Sequence, residues 1–257
     1  MQKRNAPRER RPGNRRRPDR RGALRPVLTF VVIVAAVVLA MSVFFKVTTI
    51  EVTGNSAYTP EEIIKASGIE KGDNLFFVNR ISAGSRIIAK LPYIEKASIA
   101  RGLPNRVTIN VTESQALAYI ALGEDMWTVD RNCKVLAKTT GDKAAALIRV
   151  DGIELFSPSV GEIATTTAED AAKVTYLADI LSQIQERKLQ ENITSINMAT
   201  ITNPSFDYLG KYTVKLGSDE NTEYKFGLLE AAVTQLGDGY TGTFDLSIDK
   251  QAHFSPN

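Results

Sequence analysis

An uninterrupted apolar run near the N-terminus limits the architecture of this chain more than any other feature. The run extends from Val27 to Phe45, holds 19 residues without a charge, and lies between Arg25 and Lys46. Because a helix rises about 1.5 Å per residue, a helical run would be about 28 Å long, close to the hydrocarbon thickness of a bilayer. No polar stripe interrupts it. The run predicts a transmembrane helix over residues 26–46, whose membrane-spanning residues include Val27, Phe30, Ala36, Ala40 and Phe45.

Two other interpretations of this run are a buried core helix and a cleaved signal peptide. Apolar runs of about 18 residues or more are typical of membrane spans rather than of core helices. Val38-Leu39-Ala40 resembles a cleavage site, but the run is longer and its basic leader more extended than in a signal peptide. We therefore expect an uncleaved anchor. Ala36 and Ala40 also form a small-xxx-small pair, so self-association through the helix stays open.

The segment before the anchor is strongly basic. Residues 1–25 contain eleven Lys and Arg against Glu9 and Asp19, and no apolar periodicity, which predicts disorder. Lys and Arg beside a span stay in the cytoplasm, so the N-terminus is expected inside and about 210 residues outside. Attraction to the lipid of the cytoplasmic membrane is expected. Specific nucleic-acid binding is not, because no aromatic side chains are interleaved to stack on bases.

Residues 47–114 predict a small unit in the order strand, helix, helix, strand, strand. The first helix starts at Thr59-Pro60-Glu61-Glu62, where Thr59 is the N-cap and Glu62 its capping-box partner. The second helix is predicted over residues 82–90. A hairpin then pairs residues 94–101 with residues 106–113. The pattern predicts an α+β unit with its helices on one face.

Residues 115–254 predict a larger mixed β unit with two helices, followed by a short end at 255–257. Short strands separated by turn residues come first, and a helix is predicted from Thr167 to about Lys188. A second helix is predicted from Phe226 to Leu236. The chain closes with a predicted strand over residues 243–249, in which apolar and polar positions alternate. The fold class of the whole external part is therefore α+β.

The linear order of several segments resembles the FtsQ/DivIB family of bacterial cell-division proteins. After the anchor come IEVTGN, TPEEI, GDNLFFVN and LPYIEKASIARGLPNRVTINVTES, and later WTVDRNCKVLAK, VDGIELFSPSVGE and GTFDLSIDKQAHF. The resemblance covers residues 24 to 254. Two positions depart from it. Ser114 follows Glu113 where the family often has a basic residue and then a proline, and Cys133 stands where the family often has a turn glycine.

The resemblance implies a POTRA (polypeptide-transport-associated) domain over residues 47–114 and a β domain over residues 115–254. It implies a single-pass protein of the bacterial plasma membrane, located at the division septum and acting as a scaffold without catalysis or cofactors. The partners it implies are FtsL-like and FtsB/DivIC-like division proteins, bound outside the membrane.

The C-terminal strand, Phe244 to Phe254, is the first candidate partner-binding site, with an ordinary final strand packed on the core as the alternative interpretation. A strand at the end of the sheet order could accept a strand from another protein through its backbone. In the resembling family this region docks the FtsB/DivIC-type partner. The residues expected to contribute are Phe244, Leu246, Ile248, Lys250 and Phe254. A second candidate is the first strand of residues 47–114 together with the helix near Ser82 to Leu91, which resembles the family's recruitment site, with a solvated helix face as the plainer interpretation.

No residue pattern indicates catalysis, a metal or a cofactor. Ser247-Ile248-Asp249-Lys250 fits the S-x-x-K spacing of penicillin-binding enzymes, but that chemistry needs both side chains on one helical face. This stretch alternates like a strand, which would point Ser247 and Lys250 to opposite faces, so the match is interpreted as a coincidence. Cys133 is predicted to be a surface or half-buried thiol without a base. Turn or strand-end roles are expected for Asp130, Asp151 and Asp245. A membrane-anchored cell-envelope enzyme and a transport-associated POTRA module remain the alternative functions.

Overall fold

The computed structural model describes residues 20–257 except Glu169, Asp238 and Asp249. The first helix, α1, spans Arg20–Phe44. Its stretch Pro26–Phe44 has a mean hydropathy of 2.9 and is not buried by any other part of the described chain. The prediction of disorder for residues 1–25 falls mostly outside the described residues. Residues 20–25 belong to α1, which begins earlier than the predicted residue 26, because Arg, Ala and Leu are good helix formers.

The unit after α1 has the predicted order. It consists of β1 Thr49–Thr53, α2 Pro60–Ser67, α3 Arg80–Lys90, β2 Ile94–Gly102 and β3 Arg106–Glu113. The strands form a three-stranded sheet in the order β1-β3-β2, in which β1 and β3 are parallel and β2 and β3 antiparallel. Both helices pack on one face of this sheet around a shared apolar core. The predicted α+β unit is therefore confirmed.

The start of α2 shows why this segment is helical. Thr59 Oγ1 accepts a hydrogen bond from the backbone N–H of Glu62, and the Glu62 carboxylate accepts one from the N–H of Thr59. This capping box satisfies two N–H groups that a helix start otherwise leaves unpaired. Pro60 occupies the first turn, where its missing N–H costs nothing. The helix ends at Gly68, whose φ of +67° suits glycine.

The second unit contains a mixed nine-stranded sheet in the order β12-β11-β10-β9-β8-β7-β4-β5-β6. Its strands are β4 Ala118–Leu122, β5 Asp125–Val129, β6 Val135–Thr139, β7 Ile148–Asp151, β8 Ser195–Asn197, β9 Ser205–Tyr208, β10 Tyr212–Lys215, β11 Gly242–Asp245 and β12 His253–Pro256. The pairs β4/β7, β7/β8 and β10/β11 are parallel. Parallel neighbours require crossover connections, and the long helices of this unit lie in two of them.

Three helices belong to the described part of the second unit: α4 Gly141–Ala144, α5 Ala171–Glu186 and α6 Thr222–Leu236. The two long ones are the helices that the sequence predicts, and both bury apolar residues in the same core as the sheet. Phe206 of β9 stacks on Phe226 of α6 with ring centroids 5.5 Å apart. The short α4 adds one turn before β7.

The start of α5 differs from the prediction. The helix begins at Ala171, and Asp170 rather than Thr167 is its N-cap residue. The Asp170 carboxylate accepts a hydrogen bond from the N–H of Glu154 at 3.0 Å and pairs with Lys173 Nζ at 2.8 Å. These contacts lower the pKa of Asp170, chiefly through the bond from Glu154. The acidic residue next to the helix start thus holds the chain before α5 in place.

Side chains of the β5–β6 turn join the second unit to the first. Arg131 Nη2 lies 2.5 Å from Glu95 Oε1 in β2, and Lys134 Nζ donates to the carbonyl of Ile94 at 2.8 Å. The connection between the units therefore carries direct side-chain contacts at the end of β2 that is far from α1.

Candidate partner-binding edge

The last two strands form one edge of the nine-stranded sheet. β12 pairs antiparallel with β11, and β11 pairs parallel with β10. The predicted strand over residues 243–249 was too long, because regular pairing ends at Asp245. The Asp245 carboxylate accepts hydrogen bonds from the N–H and hydroxyl of Ser247 at 2.9 and 2.6 Å, which turns the chain. The chain then returns as β12, so the predicted C-terminal strand is two strands, and β12 is the outermost one.

The five predicted residues divide between the core and the surface. Phe244 is 1% exposed and Leu246 is equally buried, so their side chains support the edge from within. Ile248 and Lys250 are exposed in the connection between β11 and β12. Phe254 is half-buried on β12. A partner could therefore contact Ile248, Lys250 and Phe254 directly. Partner binding by these residues stays a prediction.

An aromatic cluster fixes β12 against the sheet. The Phe254 ring lies 4.8 Å from the Phe244 ring and 6.2 Å from the Tyr212 ring, measured between centroids. Gly242 permits this close approach, since a Cβ there would lie 2.2 Å from the carbonyl oxygen of Ser255. The edge strand is short, but its position is set by packing as well as by backbone pairing.

The register of the β11–β12 pair shows which backbone groups point outward. The N–H of Asn257 donates to the carbonyl of Thr241 at 3.1 Å, next to the pair Gly242–Pro256. Antiparallel pairs alternate between hydrogen-bonded and non-hydrogen-bonded positions. Phe254 therefore occupies a non-hydrogen-bonded position, and its N–H and C=O point away from β11. Pro256 has no N–H, which an edge strand tolerates.

Polar side chains flank Asp245 on this edge. The strand register places His253 of β12 opposite Asp245 on one side and Lys215 of β10 on the other. The hydrogen bond from the Ser247 hydroxyl, helped by its N–H and by the nearby Lys215 and His253, holds the pKa of Asp245 below its ordinary value. The carboxylate is therefore ionised at neutral pH. Its hydrogen bonds from Ser247 form the turn after β11, which confirms the strand-end role expected of Asp245.

Sequence reasoning included Phe254 in the C-terminal strand but missed the turn that makes β12 a separate strand. The signal was present as Asp245-Leu246-Ser247, because an aspartate followed two residues later by serine commonly forms a side-chain turn. The apolar alternation of Leu246 and Ile248 outweighed that signal and extended the predicted strand. Pro256 was a second indication, because proline in a strand is confined mostly to edges.

The second candidate region, near Ser82 to Leu91, lies in α3. Gly84 packs so close to β2 that a Cβ would be 2.9 Å from the carbonyl oxygen of Ala97. A shallow groove lies beside this contact, lined in part by Ile81, Ser85 and Ile88. β2 is itself an outer strand of its sheet. The geometry gives this region an open edge, and its role in recruitment stays a prediction.

The residues whose types could support catalysis or metal binding lie in positions that serve the fold. Cys133 is fully buried, not half-buried or on the surface as predicted, and its thiol lies 3.6 Å from the carbonyl of Val174. Burial raises the pKa of this thiol far above its ordinary value. Ser247 and Lys250 do not share a helix. Among the described residues, no group of three or more His, Cys, Asp or Glu side chains could hold a metal ion.

The two other aspartates singled out in the sequence serve turns and strand ends, as predicted. Asp130 is buried, and its Oδ1 accepts hydrogen bonds from the N–H groups of Asn132 and Lys134, both at 2.9 Å. Asp151, at the end of β7, pairs with Arg149 at 2.9 Å. Cys133, in the same turn as Asp130, has a φ of +57°. That conformation favours glycine, which agrees with the turn glycine of the resembling family.

Comparisons with known proteins agree with this architecture. Residues 45–114 match the family described as POTRA domain, FtsQ-type, which is the unit built by β1 to β3. The chain is 31% identical over 182 residues to the cell division protein DivIB of Clostridium tetani, covering 71% of this chain and 67% of that protein. It is 30% identical over 183 residues to DivIB of Clostridium botulinum strain Hall, covering 71% and 70%.

A relative from another genus covers more of both chains. The cell division protein FtsQ of Corynebacterium glutamicum is 26% identical over 208 residues, which is 77% of this chain and 85% of that protein. The single apolar helix α1 among the described residues fits a single-pass membrane protein. With these identities over most of its length and the FtsQ-type domain directly after α1, the chain belongs to the DivIB/FtsQ family of cell division proteins and has a role in cell division.

Proposed function

We propose that this protein is a non-catalytic scaffold that crosses the plasma membrane once, with its N-terminus inside and its sheet domains outside, at the division septum. It binds FtsB/DivIC-like and FtsL-like partners and so coordinates septum formation. The basic residues before α1 support this orientation, because Lys and Arg beside a span remain in the cytoplasm.

The observation that carries the proposal is the outward edge of β12. The N–H and C=O of Phe254 point away from β11, while the aromatic cluster with Phe244 and Tyr212 holds the strand in place. A partner segment added there would gain backbone hydrogen bonds without a rearrangement of the sheet. Ile248 and Lys250, exposed beside the edge, would select among partner segments.

The test compares two substitutions at Phe254 in the full-length protein. Phe254→Ala removes the ring but keeps the N–H, whereas Phe254→Pro removes both. The N–H points outward, so proline breaks no bond to β11. Both variants are co-expressed in membranes with the DivIC-type and FtsL-type proteins of the same genome, and capture is quantified. One lost backbone hydrogen bond of about 1 kcal/mol predicts roughly five-fold weaker capture by Phe254→Pro than by Phe254→Ala.

Equal capture by the two variants would exclude strand addition at this edge. Urea unfolding of both variants is the control for folding, because similar midpoints assign a difference in capture to the edge itself. Orientation is tested separately. Protease added to intact protoplasts should cut the sheet domains, and cutting only after lysis would reverse the proposed topology.

A further inference from the structure

Large apolar side chains are exposed at one end of the POTRA domain. Phe77 is 85% exposed, Ile81 84% and Leu103 70%, and the Phe76 ring is partly exposed. We call these four residues the basal patch. Single exposed apolar residues are ordinary, but several at one end of a small domain indicate a surface that contacts something apolar.

The basal patch adjoins the end of α1. Asn74 Nδ2 donates to the carbonyl of Met41 at 3.3 Å, and the N–H of Leu75 donates to the carbonyl of Phe45 at 2.7 Å. The rings of Phe45 and Phe76 meet edge to face with centroids 4.9 Å apart. Met41 lies in the last turn of the apolar stretch, so the segment that carries Phe76 and Phe77 sits at the depth where α1 leaves the hydrocarbon.

Leu103 and Ile81 lie at the same end of the domain. Leu103 belongs to the turn between β2 and β3, whose Asn105 carbonyl accepts hydrogen bonds from the N–H groups of Thr48 and Thr49, just past α1. Ile81 is in the first turn of α3, directly after the segment that contacts α1. The four residues of the basal patch therefore belong to the end of the domain that contacts the end of α1.

The segment that carries the two phenylalanines is held rigidly. Arg101 Nη2 donates to the carbonyls of Phe76 and Val78 at 3.1 and 2.6 Å. Asn74 Oδ1 accepts from the N–H of Phe76 at 2.9 Å, and Leu75 is fully buried in the core. The backbone thus presents Phe77 outward in a fixed position, so its exposure is part of the fold.

We propose that the basal patch docks the POTRA domain onto the outer surface of the phospholipid bilayer that α1 crosses. Aromatic side chains favour the boundary between headgroups and acyl chains. The exposed Lys46 and Arg80 lie beside the patch and would contact lipid phosphates. The occupant is a lipid surface because α1 places one against the patch, whereas a protein partner would have to displace it.

Docking would set the orientation of everything beyond the domain. β2 begins at the contacts with the second unit and ends next to Leu103 of the basal patch, and its nine residues span about 30 Å. A POTRA domain fixed on the lipid would therefore hold the second unit at a defined height above the membrane. This inference rests on the proposed membrane topology of α1 and does not depend on the proposed role of β12.

The test places a tryptophan at Phe77 in the full-length protein. The chain's single tryptophan, Trp127, is first replaced by phenylalanine, so that Phe77→Trp is the only reporter. The protein is reconstituted in nanodiscs of phosphatidylethanolamine and phosphatidylglycerol, with and without lipid that carries a nitroxide near the headgroup. We expect a blue-shifted emission and at least two-fold quenching by the nitroxide lipid.

The matched control is Phe156→Trp in the same Trp127→Phe background, because Phe156 is an exposed phenylalanine of the second unit. It should show water-exposed emission and little quenching. Quenching of Phe77→Trp no greater than that of Phe156→Trp would overturn the proposal.

A second variant asks whether the patch itself, rather than the connection to α1, holds the domain on the lipid. Ile81→Trp in the Trp127→Phe background is the reporter. It is compared with the same protein that also carries Phe77→Ser and Leu103→Ser. Both added substitutions affect exposed side chains, so the fold is expected to persist, as checked by circular dichroism. Loss of at least half of the quenching supports docking by the patch, and unchanged quenching contradicts it.

Discussion

Ser114 Oγ donates a hydrogen bond to Asp130 Oδ2 at 2.8 Å, and both side chains are buried. Ser114 follows β3, at the end of the POTRA domain, while Asp130 begins the turn between β5 and β6. Asn132 and Lys134 already satisfy the other carboxylate oxygen. The serine that departs from the family's usual residue therefore supplies a donor to a buried carboxyl group at the junction of the two domains.

Ser114→Ala should destabilise the protein by about 1–3 kcal/mol, because it leaves a buried carboxylate oxygen without its donor. The free energy of unfolding is measured by urea titration. Ser98→Ala, at an exposed position of β2, is the matched control and should change stability by less than about 0.5 kcal/mol. Equal effects of the two substitutions would show that the Ser114 hydroxyl contributes nothing specific.

The ion pair between Glu95 and Arg131 should couple the two domains energetically. The two side chains are largely buried, and Arg131 Nη2 lies 2.5 Å from Glu95 Oε1. Removing one partner leaves the other charge poorly solvated, so Glu95→Gln should cost roughly 1–3 kcal/mol. A double-mutant cycle with Arg131→Met should give a coupling energy above about 0.5 kcal/mol.

An exposed ion pair serves as the reference for that cycle. Glu51 and Arg106 lie 3.2 Å apart on the POTRA surface, and both side chains are substantially solvated. Exposed pairs contribute about 0–1 kcal/mol, so the cycle of Glu51→Gln with Arg106→Met should give the smaller coupling. A coupling at Glu95–Arg131 no larger than this reference would contradict a role in holding the domains together.

Phe244 and Phe254 should differ sharply in what they do for stability. Phe244 is almost fully buried, so Phe244→Ala should cost about 3–5 kcal/mol. Phe254 is half-buried on an edge strand, and Phe254→Ala should cost less than half of that. The measurement is the urea midpoint of each variant. Comparable losses would mean that β12 is as much a part of the core as β11, and that edge variants cannot separate binding from folding.

Local signals predicted much of this fold. The capping box at Thr59 predicted where α2 begins, and the predicted hairpin of residues 94–101 with residues 106–113 is the β2–β3 pair. These features depend on neighbours in sequence, whose geometry is set by the periods of helix and strand.

Such local signals could not predict which distant strands pair with each other. The parallel registers Thr49–Arg106 and Tyr212–Gly242 join residues far apart in sequence, and alternation specifies a buried face without naming the neighbouring strand. The edge was misjudged for a related reason. Leu246 faces the core beyond the last paired residue, so its apolar character extended the predicted strand past the turn.

Asp207 should contribute stability that is lost in acid. Partial burial raises the pKa of Asp207, but hydrogen bonds from the side chains and N–H groups of Thr194 and Ser195 lower it more, so the folded-state pKa lies below the ordinary value. The contribution is present above the unfolded pKa, near 4, and disappears as pH falls through the folded pKa. The stability difference between wild type and Asp207→Asn should therefore shrink between pH 5 and pH 2.5. A constant difference would contradict it.

Cys133 should resist thiol reagents in the folded protein. Its thiol is fully buried, and burial keeps its pKa far above the ordinary value, so the reactive thiolate is not formed near neutral pH. With a disulfide reagent at pH 8, labelling should be at least about a hundred-fold slower in buffer than in 6 M guanidinium, because it requires unfolding. Similar rates in both solutions would contradict the buried position.

The same thiol should make stability fall at alkaline pH. Because the folded-state pKa is raised, the unfolded thiol, with a pKa near 9, loses its proton first as pH rises, and the unfolded state gains stability. Between pH 8 and pH 10 this amounts to about 1.4 kcal/mol for one group. Cys133→Ala lacks the group while every other titrating residue is shared. Wild type should therefore lose about 1.4 kcal/mol more than Cys133→Ala over this range, and parallel pH profiles would show that the thiol ionises equally in both states.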